Sequence, residues 1–282
     1  MSAFIERITS SQVGGATERS IRLSLSFIRL GPVIILLLLV LAMTLLSPVF
    51  LTGANISNVV VQTSVLAVLA IGQLFVILVA GIDLSVGSVL GLSTVTGAIA
   101  YTVVSGGGGL LALLVILLTG VVFGWINGFL YVKGKMPHPF IPTLATLYTA
   151  RGLALVISDG RPIPGMSPIV VFLGSGYIGP IPMPVIVVAV LAALAIIVTR
   201  RLKWGRWIYA VGGDKEAARR TGIPVDRVLI SVFVISGLMA GFAGVLTAGR
   251  TRASRRRASS RSLPPSPQSS SAARASSEAG GR

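Results

Sequence analysis

The sequence predicts an all-α protein: a polytopic transmembrane helical bundle with a re-entrant or broken Gly-rich segment. Three observations lead there. Of 282 residues, 53% are hydrophobic and 11% charged, where a soluble domain carries about 25% charged residues. Apolar runs close to the length that crosses a bilayer recur along the chain, with 33 glycines spread among them. The basic residues collect in the connections between these runs.

Composition also removes whole classes of chemistry. Without cysteine there is no disulfide framework, thiol nucleophile or zinc–thiolate site, and the single histidine, His138, leaves little scope for imidazole catalysis. No catalytic residue, metal or cofactor is expected, and the chain does not read as an enzyme. A net charge of +16 would suggest nucleic acid in a soluble protein, but long apolar runs separate the basic clusters. No nucleic-acid partner is expected; the partner is the lipid bilayer.

The elements follow in order. Residues 1–30 form a basic N-terminal segment carrying Arg7, Arg19, Arg22 and Arg29. The apolar run at 32–49 is too long for a signal-peptide core and lacks a small-residue cleavage pattern behind it, so it reads as a retained anchor. Runs at 59–80, 84–104 and 110–131 come next, then a weaker one at 140–157 and clearer ones at 185–198 and 228–248. At about 1.5 Å per residue most of these cross, or nearly cross, a hydrocarbon core about 30 Å thick; 185–198 needs flanking residues to do so. Together they make one transmembrane domain, residues 31–249, of about seven spans.

Alternate crossings test this assignment. With a cytoplasmic N-terminus, the turn at 81–83, Lys133 and Lys135, and the basic loop at 200–227 all face inward. The outward segments 51–57, 105–109 and 158–184 contain one basic residue, Arg161. This is the positive-inside pattern, and it predicts a multi-pass membrane protein with its N-terminus cytoplasmic.

Residues 250–282 depart from the pattern. Eight arginines, ten serines and three prolines surround one large apolar residue, Leu263. Such a segment buries too little apolar surface to fold and is expected to be a disordered Arg/Ser-rich tail. Two origins are open: a natural basic tail, or a frameshift, since these residue types are what a GC-rich gene yields out of frame.

Within the domain, Gly81-Ile82-Asp83-Leu84-Ser85-Val86-Gly87-Ser88 interrupts two apolar runs. A carboxylate near hydrocarbon faces a cavity or a partner, and the glycines with Ser85 and Ser88 suit an unwound stretch lining a pathway. A plain turn with Asp83 capping the next helix is the other reading, and the two are compatible. Gly87-x-x-x-Gly91, Gly120-x-x-x-Gly124, Gly124-x-x-x-Gly128 and Gly237-x-x-x-Gly241 are small-residue helix-packing patterns that together predict a tight bundle. Gly174-Ser175-Gly176-Tyr177-Ile178-Gly179 matches a dinucleotide fingerprint by letters alone, because Pro180, Pro182 and Pro184 follow and no βαβ unit is available.

The stretch from Gly212 to Pro224 is the most informative. Gly212 and Gly213 free the chain, Asp214 can cap, and Glu216, Ala217, Ala218, Arg219 and Arg220 form a short helix stopped by Gly222 and Pro224. Two adjacent alanines offer small side chains that can enter a partner's groove. Spacing alone leaves this equal to a solvated basic loop that merely fixes topology.

At these residues the chain resembles the permease subunits of the monosaccharide ABC importer family, of the ribose/xylose/galactose type. The resemblance covers about residues 37–248. It rests on Gly72-Gln73, the Gly81–Ser88 run, Asn127-Gly128 ahead of Lys133-Gly134-Lys135, Pro139-Phe140-Ile141-Pro142-Thr143-Leu144-Ala145-Thr146, Arg151-Gly152 and the Gly212–Gly222 stretch. It implies a homodimeric pore subunit served by a periplasmic or lipid-anchored sugar-binding protein and driven by a cytoplasmic ABC ATPase. Gly213, Asp214, Glu216, Ala217, Ala218 and Gly222 then form the ATPase-coupling loop. Gly81, Asp83, Ser85, Gly87, Ser88, Asn127, Thr143 and Thr146 fall on the broken segment or translocation pathway. Family members continue after Ala248 with further spans, where this chain has its Arg/Ser tail. A self-contained secondary transporter using Asp83 as a proton or cation site is the alternative.

Overall fold

The computed structural model describes residues 15–104, 109–161, 163 and 165–262, and the chain divides into two compact units, Met1–Val59 and Val60–Arg282. In the first unit, helix α1 spans Gly15–Leu46. Its apolar part, Leu30–Leu46, is shorter than the six described helices long and apolar enough to cross a membrane. The run expected at 32–49 as one of about seven spans therefore ends early. Pro48 disfavours the helical conformation at Ser47, and the chain turns there, with Asn55 Nδ2 donating to the Phe50 carbonyl at 2.8 Å.

Helix α2, Gly53–Leu78, starts in the first unit and leads into the second. There follow α3 (Val86–Val103), α4 (Gly109–Lys133), α5 (Phe140–Ser158), α6 (Pro168–Ser175), a two-stranded hairpin of β1 (Tyr177–Ile178) and β2 (Ile181–Pro182), α7 (Met183–Arg201), α8 (Lys203–Gly213), α9 (Lys215–Arg220) and α10 (Val225–Ser262). The strands pair antiparallel, Tyr177 opposite Pro182, where the sequence has the glycines of the false dinucleotide match.

Helix α10 is the centre of the second unit. Two-thirds of its apolar window, 67%, is buried, against 11–28% for the other five candidate spans. Those five present leucines, isoleucines and valines outward, as lipid-facing helices do. Glycine sets how closely they approach α10. A methyl group on Gly120 would overlap the Gly237 carbonyl, one on Gly237 the Gly120 carbonyl, and one on Gly124 the Phe233 carbonyl. The patterns on α4 and α10 are thus one interlocking contact. Gly87 and Gly91 of α3 behave differently, with no atom within 4 Å of a Cβ built on either.

Helices α2, α4 and α5 end in the same device. Ala80, Lys135 and Asp159 take left-handed φ values of 56°, 50° and 50°. The next amide in each case bonds five residues back: Gly81 to Val76, Met136 to Tyr131 and Gly160 to Leu155, at 2.9, 3.1 and 3.0 Å. These are Schellman closures that satisfy the last carbonyls of each helix.

Two helices were not anticipated. Helix α6 lies in the segment expected as an outward loop, started by Pro168 and by Ser167, whose hydroxyl accepts the Ile169 amide at 3.2 Å. It crosses α10 where a methyl on either Gly174 or Gly249 would meet the other's helix. Helix α8 lies in the basic loop, with Ile208 and Val211 buried beside Phe75 and Val79 and with Trp204 Nε1 donating to Ser231 Oγ at 2.9 Å. At the other end, α10 stays helical to Ser262, beyond the composition change at Arg250 where disorder was expected. Arginine and alanine favour helix, and the first proline after Pro224 is Pro264. Residues 1–14 and 263–282 lie outside the described residues.

Candidate functional site: a buried polar relay beneath an exposed short helix

The Gly-rich break is folded around its own carboxylate. Asp83 is 3% exposed. Its Oδ1 accepts from the Ser85 amide at 2.9 Å and the Ser85 hydroxyl at 2.6 Å, and its Oδ2 accepts from the Ser236 hydroxyl at 2.8 Å. Asp83 closes an Asx-type turn over Ser85 and does not cap α3: the residue at that N-cap is Ser85, without a side-chain capping bond. The reading of Asp83 as helix cap is corrected accordingly.

The relay continues from Ser85. Asn127 Nδ2 donates to Ser85 Oγ at 2.8 Å, and Thr146 Oγ1 donates to Asn127 Oδ1 at 2.6 Å. Ser236 of α10, the break, Asn127 of α4 and Thr146 of α5 are thus strung on one line of side chains, all buried. Thr143, fully buried one turn before Thr146, turns its hydroxyl back to the Phe140 carbonyl at 3.1 Å and stays off the line. Gly81 sits against Val76 and Pro139; Gly87 is exposed and Ser88 half-buried at the start of α3. Sequence reasoning gathered four of the five relay residues and missed Ser236. The signal for it was a hydroxyl within the apolar run 228–248, which alone does not separate a partner from a helix-tolerated serine.

The Gly212–Gly222 stretch is local structure with a clear cause. Asp214 Oδ1 accepts the amides of Glu216 and Ala217 at 2.8 and 3.0 Å, which starts α9. Gly222, at φ +81°, stops it. Ala218 is buried in the core around Ile208, Val211 and Phe233, while Gly213, Asp214, Glu216 and Ala217 are exposed. Two sets of contacts seat α9. Lys215 Nζ donates to Tyr131 Oη at 2.7 Å and lies 5.4 Å from that ring's centroid. Asp226 at the start of α10 pairs with Arg219 at 3.3 Å and with Lys133 at 3.2 Å. Lys133, Arg219, Ile223 and Pro224 line an open cleft beside it. None of Lys133, Tyr131 or Asp226 was read from the sequence as part of this region: Lys133 and Tyr131 join it only through the packing of α4 on α10, and Asp226 lies just past its end, on the first turn of α10.

Among the described residues, no group of three or more histidine, cysteine or carboxylate side chains could hold a metal ion. The geometry offers a buried, hydrogen-bonded line of polar side chains within the helix bundle and a short, anchored helix with an exposed face.

Comparison with known proteins matches the sequence to a family. Residues 55–259 match the model of the branched-chain amino acid transport system / permease component family. The ribose import permease protein of Haemophilus influenzae is 40% identical over 222 residues, spanning 77% of this chain and 68% of that protein. Its counterpart from Bacillus subtilis is 39% identical over 224 residues, covering 79% and 69%. The D-allose transport system permease protein of Escherichia coli is 40% identical over 250 residues, covering 88% and 74%. No solved structure matches the chain. The resemblance carried by the Gly81–Ser88 and Gly212–Gly222 motifs is borne out, and the chain belongs to this transport permease family.

Proposed function

We propose that this chain is the membrane-spanning permease subunit of an ATP-driven ABC importer that moves a monosaccharide into the bacterial cytoplasm. It makes and breaks no bonds. It converts motion driven by a separate ABC ATPase into changes of access across the inner membrane. A periplasmic or lipid-anchored sugar-binding protein delivers the substrate, and a second copy of the permease completes the pathway as a homodimer. The N-terminus is cytoplasmic, which puts α9, Lys133 and the turn at Gly81 on the ATPase side, in keeping with the positive-inside distribution.

The observation that carries the reading is α9. It is a six-residue helix whose Glu216 and Ala217 stand exposed while Asp214, Lys215 and Ala218 anchor it from behind. Of the two adjacent alanines only Ala217 is outward, since Ala218 is buried; its methyl beside the Glu216 carboxylate, on an anchored helix, suits docking into a groove of a partner. On this reading Gly213, Asp214, Glu216, Ala217, Ala218 and Gly222 form the coupling element. Asp83, Ser85, Asn127, Thr143 and Thr146 support the wall of the pathway, and Gly81, Gly87 and Ser88 give the break its freedom. The relatives are named as import permeases, and the three donors engaging Asp83 favour a structural part in the relay over a rival cation site.

Ala217→Arg tests the docking. The variant is expected to insert in the membrane like the unaltered chain but to lose association with its ABC ATPase in detergent, because a guanidinium cannot enter a pocket fitted to a methyl group. Undiminished association would reduce α9 to a topology-setting loop. Sugar uptake in cells should be blocked by vanadate and indifferent to an uncoupler; the reverse pattern favours ion-coupled transport.

A further inference from the structure

We propose that Tyr131 is a positioning residue that links the docking helix α9 to the buried polar relay, an inference that rests on the docking reading above. The connection can be followed atom by atom. Lys215 of α9 donates to Tyr131 Oη at 2.7 Å. The Tyr131 ring meets Phe233 edge-on, with centroids 6.0 Å apart. Tyr131 lies four residues after Asn127 on α4, and Phe233 three residues before Ser236 on α10, so each pair shares one helix face. Asn127 donates to Ser85, and Ser236 donates to Asp83. One aromatic contact therefore sits a single turn below both helix-borne partners of the Gly81–Ser88 break.

Burial decides which contact transmits. Tyr131 is 9% exposed and Phe233 fully buried. The ion pairs of Asp226 with Arg219 and Lys133 instead join side chains that are 44–58% exposed, where such pairs are worth about 0–1 kcal/mol and are screened by salt. A displacement of α9 is absorbed cheaply at the ion pairs. At Tyr131 it meets a close-packed interior that shifts as a body. Tyr131→Phe removes the hydrogen bond to Lys215 but keeps the ring on Phe233, so the directional link from α9 to α4 is lost without a cavity.

The absence of cysteine from the full chain makes the comparison clean, because oxidation cannot scramble the variants. Hydrogen–deuterium exchange is measured on the full chain in detergent, with and without its purified ABC ATPase. In the unaltered chain, ATPase binding is expected to change exchange at the amides of residues 82–89. Tyr131→Phe is expected still to bind the ATPase, at saturating concentration, and to lose that change. Asp226→Asn is expected to keep it. A change that persists in Tyr131→Phe, or that vanishes equally in Asp226→Asn, overturns the link while leaving docking in place. The same holds if the unaltered chain binds the ATPase without any change at 82–89. Failure of the unaltered chain to bind the ATPase overturns the docking reading, and the link with it.

Discussion

Replacing Ser236 by alanine isolates one atom of the relay. The hydroxyl is the donor that Asp83 Oδ2 has from outside its own turn, at 2.8 Å, and both residues are buried, at 0% and 3% exposure. Alanine fits the space left by serine, so no cavity or clash confuses the result. What remains is a buried carboxylate oxygen stripped of its partner. A hydrogen bond to a charged group contributes about 1.5–3 kcal/mol net, and a stranded acceptor pays its full desolvation penalty. Taking about 2 kcal/mol, and about 2–4 °C per kcal/mol for chains of 150–250 residues, melting should fall by about 4–8 °C. The assay is thermal unfolding in detergent followed by the fluorescence of Trp125, Trp204 and Trp207. Asp83→Asn is the control: its carbonyl can still accept from Ser85, and its amide can donate to a rotated Ser236 hydroxyl. It should therefore cost less than about 1 kcal/mol. Melting of Ser236→Ala within about 1 °C of the unaltered protein, or an equal loss in both variants, would refute the role given to this bond.

Three further outcomes are expected. Ala80→Gly should stabilise the protein by about 0.5–1 kcal/mol in the same melt, because a left-handed φ of 56° penalises a Cβ and not glycine. Thr146→Val keeps the shape but leaves Asn127 Oδ1 without its donor at 2.6 Å, and should lower stability by about 1–3 kcal/mol. Gly124→Ala sets a methyl against the Phe233 carbonyl and should cost about 1–3 kcal/mol or more, whereas Gly91→Ala, with open space around it, should be tolerated in the isolated chain.

The long apolar runs were legible because lipid imposes their length: α3 to α5 and α7 lie within a few residues of where hydropathy put them, while α2 starts earlier, at Gly53, and α10 runs on to Ser262. The Asp214 start and Gly222 stop of α9 were legible because capping is local chemistry. Helix α6 was not. Its eight residues are too few for a span, and the signal that starts it, Ser167 before Pro168, is common in loops. The amphipathic α8 was hidden by its charge, since Lys203 and Arg206 drew attention to topology while Trp204, Ile208 and Val211 faced the core. The relay shows the same limit. Asp83 and Ser85 are neighbours in sequence, but Ser236 lies 153 residues from Asp83. Only the glycine contact between α4 and α10 brings Asn127 and Ser236 to the same break. The pattern Gly87-x-x-x-Gly91 illustrates the converse: letters that promise packing need a second helix to pack on, and none lies within 4 Å.

The glycine contact between α4 and α10 also restricts how the bundle can move. Where side chains separate two helices, rotamer changes let one roll or slide against the other. Here carbonyl oxygens of one backbone rest in the space that side chains would occupy on the other, at Gly120, Gly124 and Gly237. Rolling α10 about its axis by one residue would swing Ser236 or Leu238 into that space, and sliding it would bring the Cβ of a neighbouring residue there. Close backbone contact therefore penalises rolling and sliding of the two helices, and they are expected to move as a pair. Rearrangement during a transport cycle is then expected at the connections flanking this pair, at Gly134 after α4 and at Gly222 before α10.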